Sequence, residues 1–523
     1  MKHTISKLFF LATAIVMVGC TNDFEDINTN KQNPTEAAPN LLLTGVIRSS
    51  ATTTAALGAE EGLVVTQHAA KVQSTNDDIY NWDPNDQPYS RGYNALRDIY
   101  NMIDASKDSQ GFSGYYGIAL ILKSWTYSVM TDAYGDLPYT EAIMGRESGD
   151  FFPEFSSQQV IYQGILADLE EANTVLAAAP SNIEGDILYG GDILKWQKFA
   201  NSLRLRLLMR LADVDNATAV AGIQQIVNNP STYPIFDSND DNAALQHEVQ
   251  NPSLGYDTRE GSFNVWRLSV TMETRLKALN DWRIAAFFQP TTDSGQGIFS
   301  SDINDYVGVP NGLGDEASES YSPTGDPSMS GSNYISKLGV LYACSECTSE
   351  SSYDAAQSIF MTYSEVAFLL AEARAVGYIS VGSAETYYQN GIIASVEYYK
   401  DRVQVGGWTG IYNALDSMDM NIYLNQTGVA FTGNAQDDLA KIYEQKWIAL
   451  FQTGLEAWSD WRRTSMPEVI PGPAARNDGE VPVRFLYPNS VKSLNSDNYE
   501  AAVENMGGDT LKTRLWWDTA DND

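Results

Sequence analysis

Cysteine is nearly absent from this 523-residue chain, which has only Cys20, Cys344 and Cys347. So few thiols exclude a disulfide framework as the basis of the fold. Histidine is as scarce: His3 falls in a leader-like stretch, and His68 with His247 is too few for a multi-histidine transition-metal site. Basic residues number 33 against 67 acidic ones, for a formal net charge of −34. A surface of that sign repels polyanions, which excludes nucleic acid as a partner and means that charge alone will not hold the chain on an anionic membrane. Past residue 19 there is no apolar run of the roughly 20 residues a membrane-spanning helix needs. Local enzyme signatures are missing too: no GxSxG, HExxH or GxxxxGK[ST], and no GxGxxG following a strand. The expectation is a non-catalytic protein. Its rival is a surface glycoside hydrolase, since that chemistry needs only two carboxylates about 5 to 9.5 Å apart.

What is present begins with the N-terminus. Lys2 and Lys7 precede a short apolar run over residues 8–19, and Asp23, Glu25 and Asp26 follow it. This is the charge order of an export signal. Met17-Val18-Gly19-Cys20 resembles the lipobox of bacterial lipoproteins. That resemblance implies cleavage before Cys20 and acylation of its thiol by chains such as palmitate, each buried CH₂ adding about 0.8 kcal/mol of membrane affinity. The expected division is a signal peptide over 1–19, a lipidated tether over 20–36 and a single domain over 37–523.

With 43% hydrophobic and 11% aromatic residues, that domain can bury a large core. Helical periodicity dominates and comes in pairs. In "QQVIYQGILADLEEANTVLAAA" the stripe is Val160, Ile161, Ile165, Leu166 and Leu169, and in the following "DILKWQKFANSLRLRLLMRLAD" it is Trp196, Phe199, Leu203 and Leu207. A second pair lies in "DDLAKIYEQKWIALFQTGLEAWSDWRR", where Leu439, Ile442, Tyr443, Trp447 and Leu450 precede a break at Gly454. Arg204, Arg206 and Arg210 on a Leu-rich helix predict buried or half-buried carboxylates to balance them. The scaffold is expected over about 37–230 and 360–465, with a short strand at "TYPIF", residues 232–236. Between about 230 and 360, Gly, Pro, Ser, Asn and Asp punctuate the sequence and periodicity fails, which predicts a long irregular region.

Two short patterns within or beside that region bear on metals and redox chemistry. Asp237, Asn239, Asp241 and Glu248 have the 1, 3, 5, 12 spacing of a calcium loop, but Asn242 stands where glycine is usual and no entering helix is expected, so a solvated acidic turn is the plainer reading. No other cofactor is expected. Cys344-x-x-Cys347 lacks a second CxxC, a nearby histidine or a βαβ setting, which leaves a local disulfide or two free thiols and no catalytic role.

Taken in order, the lipobox-like start, "NPTEAAPNLLLTGVI", "TDAYGDLPYTEAI", "LKWQKFANSLRLRLLMRL", "FMTYSEVAFLLAEARAVGY" and "IYEQKWIALFQTGLEAWSDWRRTSMPEV" resemble SusD/RagB-type outer-membrane nutrient-binding lipoproteins, in their SusD-like branch. The resemblance implies a mainly α fold of tetratricopeptide-like helix pairs with an irregular ligand face. It also implies lipid anchoring on the outer cell surface, and a role as the lid of a SusC-like TonB-dependent barrel that receives a glycan or, in some members, a peptide.

For a sugar ligand, flat aromatics stack on C–H faces while amides and carboxylates fix orientation. "NDDIYNWDPNDQPYSRGY" offers Tyr80, Trp82 and Tyr89 among Asn and Asp, with Pro84 and Pro88 predicting a stiff loop. Trp266, Tyr306 and Tyr334, with Tyr256 and Tyr321, are candidates for an opposite wall, and Trp408 sits beside Gly406 and Gly407 on an expected flexible loop. Each aromatic taken singly also fits a place in the scaffold.

Overall fold

The computed structural model describes residues 38–519 apart from 85, 181–182, 253–263, 345–346 and 348. Cys20, the signal peptide, the tether and Tyr256 lie outside the described residues.

Each apolar stripe read from the sequence folds as a helix. In chain order the long helices are α1 (Pro39–Leu57), α2 (Asp86–Ser106), α3 (Ser113–Tyr134), then α4 (Gln158–Ala177) and α5 (Ile193–Arg210) on the first striped pair, followed by α6 (Asn216–Asn228), which no stripe revealed. Local chemistry sets their starts. Pro39 opens α1, where a missing N–H costs nothing. Ser157 accepts from the Val160 N–H at the head of α4, and Asp192 accepts from Lys195 N–H at the head of α5. Helix α3 is buried on nearly every face, because α2 and α4 flank it and α5 packs beyond α4. On α4 the buried stripe is Ile161, Ile165, Leu169 and Leu176, whereas Val160 points outward.

The sequence between 230 and 360 is more ordered than its punctuation implies. Ser269 caps α7 (Val270–Ala278), and a short helix follows at Arg283–Phe287. Trp266, Leu268, Met272, Phe287, Phe288, Tyr306 and Leu338 form a second core with α8 (Tyr363–Ala375), α9 (Ala384–Val405), α10 (Thr409–Asp416) and α11 (Ala435–Ala449). The turn after α11 contains Gly454 at φ +63°, a left-handed conformation that glycine adopts without penalty, and α12 (Glu456–Thr464) begins two residues on. Helix α13 (Ser496–Met506) comes last.

Residues 232–236 are not a strand. The strand nearby is β4 (Ala243–Gln246), which pairs antiparallel with β6 (Gln357–Met361) and so clamps the two ends of the middle segment together. The other pairs are β1 (Ala69–Lys71) with β5 (Trp266–Leu268), and β2 (Leu137–Pro138) with β3 (Phe155–Ser156). Cys344 and Cys347 form a disulfide, which decides between the two states left open above. Residues Pro39–Asp523 make one compact unit, and no helix among the described residues is long and apolar enough to cross a membrane.

The arginines of α5 pair with acids as expected. Arg206 joins Glu365 and approaches Glu456, Arg210 joins Asp132 and Glu456, and Arg204 joins Glu170. These contacts tie α5 to α3, α4, α8 and α12.

Candidate functional site

Strand β1 ends at Lys71, and the chain then makes a tight excursion over residues 72–82 before α2. Several bonds fix that loop. The buried Asp78 carboxylate accepts from Lys71 N–H at 3.1 Å and from Asn311 Nδ2 at 2.7 Å. Asp315 accepts from both the Thr75 N–H and its hydroxyl, at 2.9 and 2.8 Å. Lys71 Nζ reaches Asp77 at 2.6 Å and sits 5.0 Å over the Trp266 ring across the β1–β5 ladder. Burial pushes Asp78 up to about 7. The bonds from Thr75 hold Asp315 below its usual carboxylate range.

Beside this anchored loop, the β5 edge and the 319–333 turns enclose a cleft of about 490 Å³. Gln73, Asn264, Glu319, Ser332 and Asn333 present polar groups at its rim, and the buried Arg267 lies in its wall. Tyr334, half-buried, follows directly on Asn333. A second cleft of about 370 Å³ lies among Trp461, Glu468, Ile470, Glu480, Lys512 and Arg514. Its cation Lys512 is already engaged by Asp478 and Glu480, at 2.9 and 3.2 Å.

The structure moves most of the expected aromatic residues inward. Tyr80 is 1% exposed and Tyr306 0%, while Trp266 and Trp408 are also buried. Their rings fill cores, because an aromatic in an irregular segment gains as much from packing inward as one on a helix. Trp82 is half-buried: its Nε1 donates to the Asp77 carbonyl at 2.9 Å, and its ring lies 5.7 Å from Trp458 and 5.2 Å from Phe485. Tyr89 belongs to α2, which begins before the expected stiff loop ends, and its ring packs edge-on to Tyr134 at 5.7 Å. Tyr321 is half-buried against the small cluster of Ala70, Val72, Val309 and Ile335. None of the six main candidates is among the residues lining the cleft; Trp266 and Tyr334 adjoin lining residues in the chain, and of the two only Tyr334 is not buried.

The acidic turn at 237–248 is built around an ammonium. Lys198 Nζ lies 3.0 Å from Asp237 and 2.8 Å from Asp241, and Asn239 donates to the Ala394 carbonyl instead of turning inward. Glu248 sits apart in a bridge with Asn251. Among the described residues there is no cluster of three or more His, Cys, Asp or Glu side chains placed to share a metal ion.

Reading aromatics missed the polar residues that line the cleft. For Arg267 a signal exists: one charge between Trp266 and Leu268 in a strand buried at all three positions. Gln73, Asn264 and Asn333 carry none, because their approach depends on contacts far apart in the chain.

Fold and cleft together define a helix-pair scaffold carrying a polar recess in its irregular face. The chain belongs to the SusD-like family, whose model, described as starch-binding and associating with the outer membrane, matches residues 31–488. Solved structures similar to it include a SusD homolog from Bacteroides fragilis NCTC 9343, 24% identical, with TM-score 0.75, covering 93% of this chain and 100% of that one. A chitin-binding SusD homolog from Flavobacterium johnsoniae is 24% identical, with TM-score 0.71, covering 92% and 100%. A chitin-binding protein at 25% identity has TM-score 0.74 over 92% and 100% of the two chains. No curated protein matches the sequence.

Proposed function

We propose that this protein is a non-catalytic cell-surface lipoprotein that binds an oligosaccharide and passes it, as a lid, to a TonB-dependent outer-membrane transporter. In this reading residues 1–19 are a signal peptide, acylated Cys20 is the anchor and 20–36 the tether. The observation that carries it is the cleft of about 490 Å³ on a SusD-like scaffold, rimmed by the amide and hydroxyl groups of Gln73, Asn264, Ser332 and Asn333, with Tyr334 next in the chain. Neutral polar groups satisfy sugar hydroxyls, and a flat ring beside them covers a C–H face. The chitin-binding names of two similar structures favour glycan over peptide as cargo. Ligand held between lid and barrel would stabilise the closed pair in proportion to its preference for that state.

The test is calorimetric titration of the purified protein with chitin and starch oligosaccharides and with peptides, alongside assay of the same sugars for cleavage. Saturable binding without product supports the reading. Released product points to a glycosidase, peptide binding alone to a peptide lid, and no binding to a helical adaptor. Anchoring is tested separately: Cys20→Ser is expected to release the protein from membranes.

A further inference from the structure

Arg267 is 4% exposed, yet no carboxylate among the described residues lies within ion-pair distance of it. Its Nη1 donates to the backbone carbonyls of Asn264 and Trp266, its Nη2 reaches Asn264 Oδ1 only at 3.4 Å, and its Nε, fully enclosed, has no partner among the described residues. Burial pulls its pKa down to about 10, which still leaves the group charged at neutral pH. Several other guanidiniums buried in the scaffold are treated differently: Arg206, Arg210, Arg283 and Arg463 each hold at least one carboxylate, while Arg462 is met by the Asp132 and Val483 carbonyls and the Ser459 hydroxyl. An unpaired buried charge costs several kcal/mol, and the loss is recovered when an anion arrives with matching geometry.

A second cation stands beside the first. Arg267 and Lys337 face each other across an antiparallel bridge, an arrangement that sets their Cβ atoms about 5 Å apart on one face and is unfavourable for like charges. Lys337 is in no ion pair among the described residues. Two neighbouring positive groups with no ion-pair partner among the described residues, one of them in the wall of a cleft with amide and hydroxyl rims, make an incomplete electrostatic site. The acid in that cleft, Glu319, is exposed at the rim, where solvent screens it and where it is free to accept from a sugar hydroxyl.

We propose that the cleft beside β1 and β5 recognises an acidic glycan, and that Arg267, aided by Lys337, binds the carboxylate of a uronic acid residue. The inference rests on the glycan-binding reading and narrows it. The polar rim favours sugar over peptide as the bearer of the carboxylate, because Gln73, Ser332 and Asn333 match hydroxyls rather than apolar side chains.

The experiment is calorimetric titration of the detergent-solubilised full chain with oligogalacturonate, oligoglucuronate and oligomannuronate, each beside its carboxyl-reduced neutral counterpart. At least one acidic member is expected to bind about 10- to 100-fold more tightly than its reduced form, the worth of one charged hydrogen-bonded contact. That preference should fall with added salt, vanish in Arg267→Gln, survive in part in Arg267→Lys and weaken in Lys337→Gln. Should Arg267→Gln fail to fold, weakening of the preference in Lys337→Gln and its partial survival in Arg267→Lys carry the test. Equal affinity for acidic and reduced forms, or a preference indifferent to both positions, overturns the inference while leaving glycan binding intact. Peptide binding with no sugar binding removes the inference together with the reading beneath it.

Discussion

Arg206 of α5 and Glu365 of α8, 159 residues apart in the chain, meet in a two-pronged ion pair with Nε and Nη2 each 2.5 Å from a carboxylate oxygen. Thr362 caps α8 through the Glu365 N–H, so the Glu365 side chain is left to the arginine rather than folding back on the cap. Removing either partner strands a buried charge. Glu365→Ala is expected to cost about 3–5 kcal/mol in chemical denaturation, whereas the double change Arg206→Met with Glu365→Leu should recover much of that loss. Equal losses in the single and double variants would contradict this account.

His68 provides an acid-side prediction. Its Nε2 lies 2.8 Å from the Trp447 carbonyl and its ring 4.4 Å from the Trp447 ring, and burial lowers its pKa to about 3. The unfolded chain takes up this proton near pH 6.5 and the folded one only near 3, so the unfolded state binds more protons between those values. Stability from this group is present above pH 6.5 and is lost as pH falls toward 3. The difference in unfolding free energy between wild type and His68→Gln should therefore shrink steadily across that window.

Asp78 has the opposite sign. Its folded pKa of about 7 exceeds the ordinary carboxylate value of 3.8, so the folded state binds more protons between the two. Its contribution is full below about pH 4 and falls as pH rises toward 7. Urea titrations of Asp78→Asn against wild type should show a variant whose relative stability improves with pH over this range. Because His68 and Asp78 act oppositely where their windows overlap, the wild-type profile alone masks both.

Trp82 and Tyr334 separate packing from recognition. With Trp82 wedged against Trp458 and Phe485, Trp82→Ala should lower unfolding stability by about 3 kcal/mol or more. Tyr334 is half-buried and follows Asn333 of the cleft rim in the chain, and Tyr334→Ala should weaken ligand binding while moving thermal unfolding little. A reversal of these two outcomes would place the ligand beside Trp82 rather than at the cleft.

Gly312 tests the anchoring of that loop. At φ +67° a Cβ on it would stand 2.6 Å from the Gly472 Cα, so Gly312→Ala meets both backbone strain and a clash. The neighbouring Asn311 holds Asp78 and the Ala69 carbonyl. The substitution should cost about 1–3 kcal/mol and lower ligand affinity, measured by denaturation and calorimetry.

Long helices were legible in the sequence because each repeats its own signal every turn; Trp196, Phe199, Leu203 and Leu207 point to one face with no knowledge of what covers it. Helix α7 was not, since Thr271, Glu273, Arg275 and Lys277 interrupt any stripe in only nine residues. The β4–β6 pair was invisible for another reason: Ala244 finds Ile359 only after the helices bring the two stretches together. The candidate site was legible in region but not in residues. Tyr80 and Tyr306 occur in turn-rich sequence as an exposed ring would, and composition has no term for the direction a side chain takes. Arg267 is the converse case, a residue whose strand neighbours imply burial and whose charge makes that burial informative.

Because β4 and β6 lie side by side, the stretch between them begins and ends at one doorway in the frame. Insertions or deletions in its surface turns leave the spacing of the two jambs unchanged, while Trp266, Met272, Phe287 and Tyr306, which pack with α8 to α11, must stay for the frame to hold. Descendants of such a chain can rewrite the margins of that interior paragraph while keeping the binding of the book.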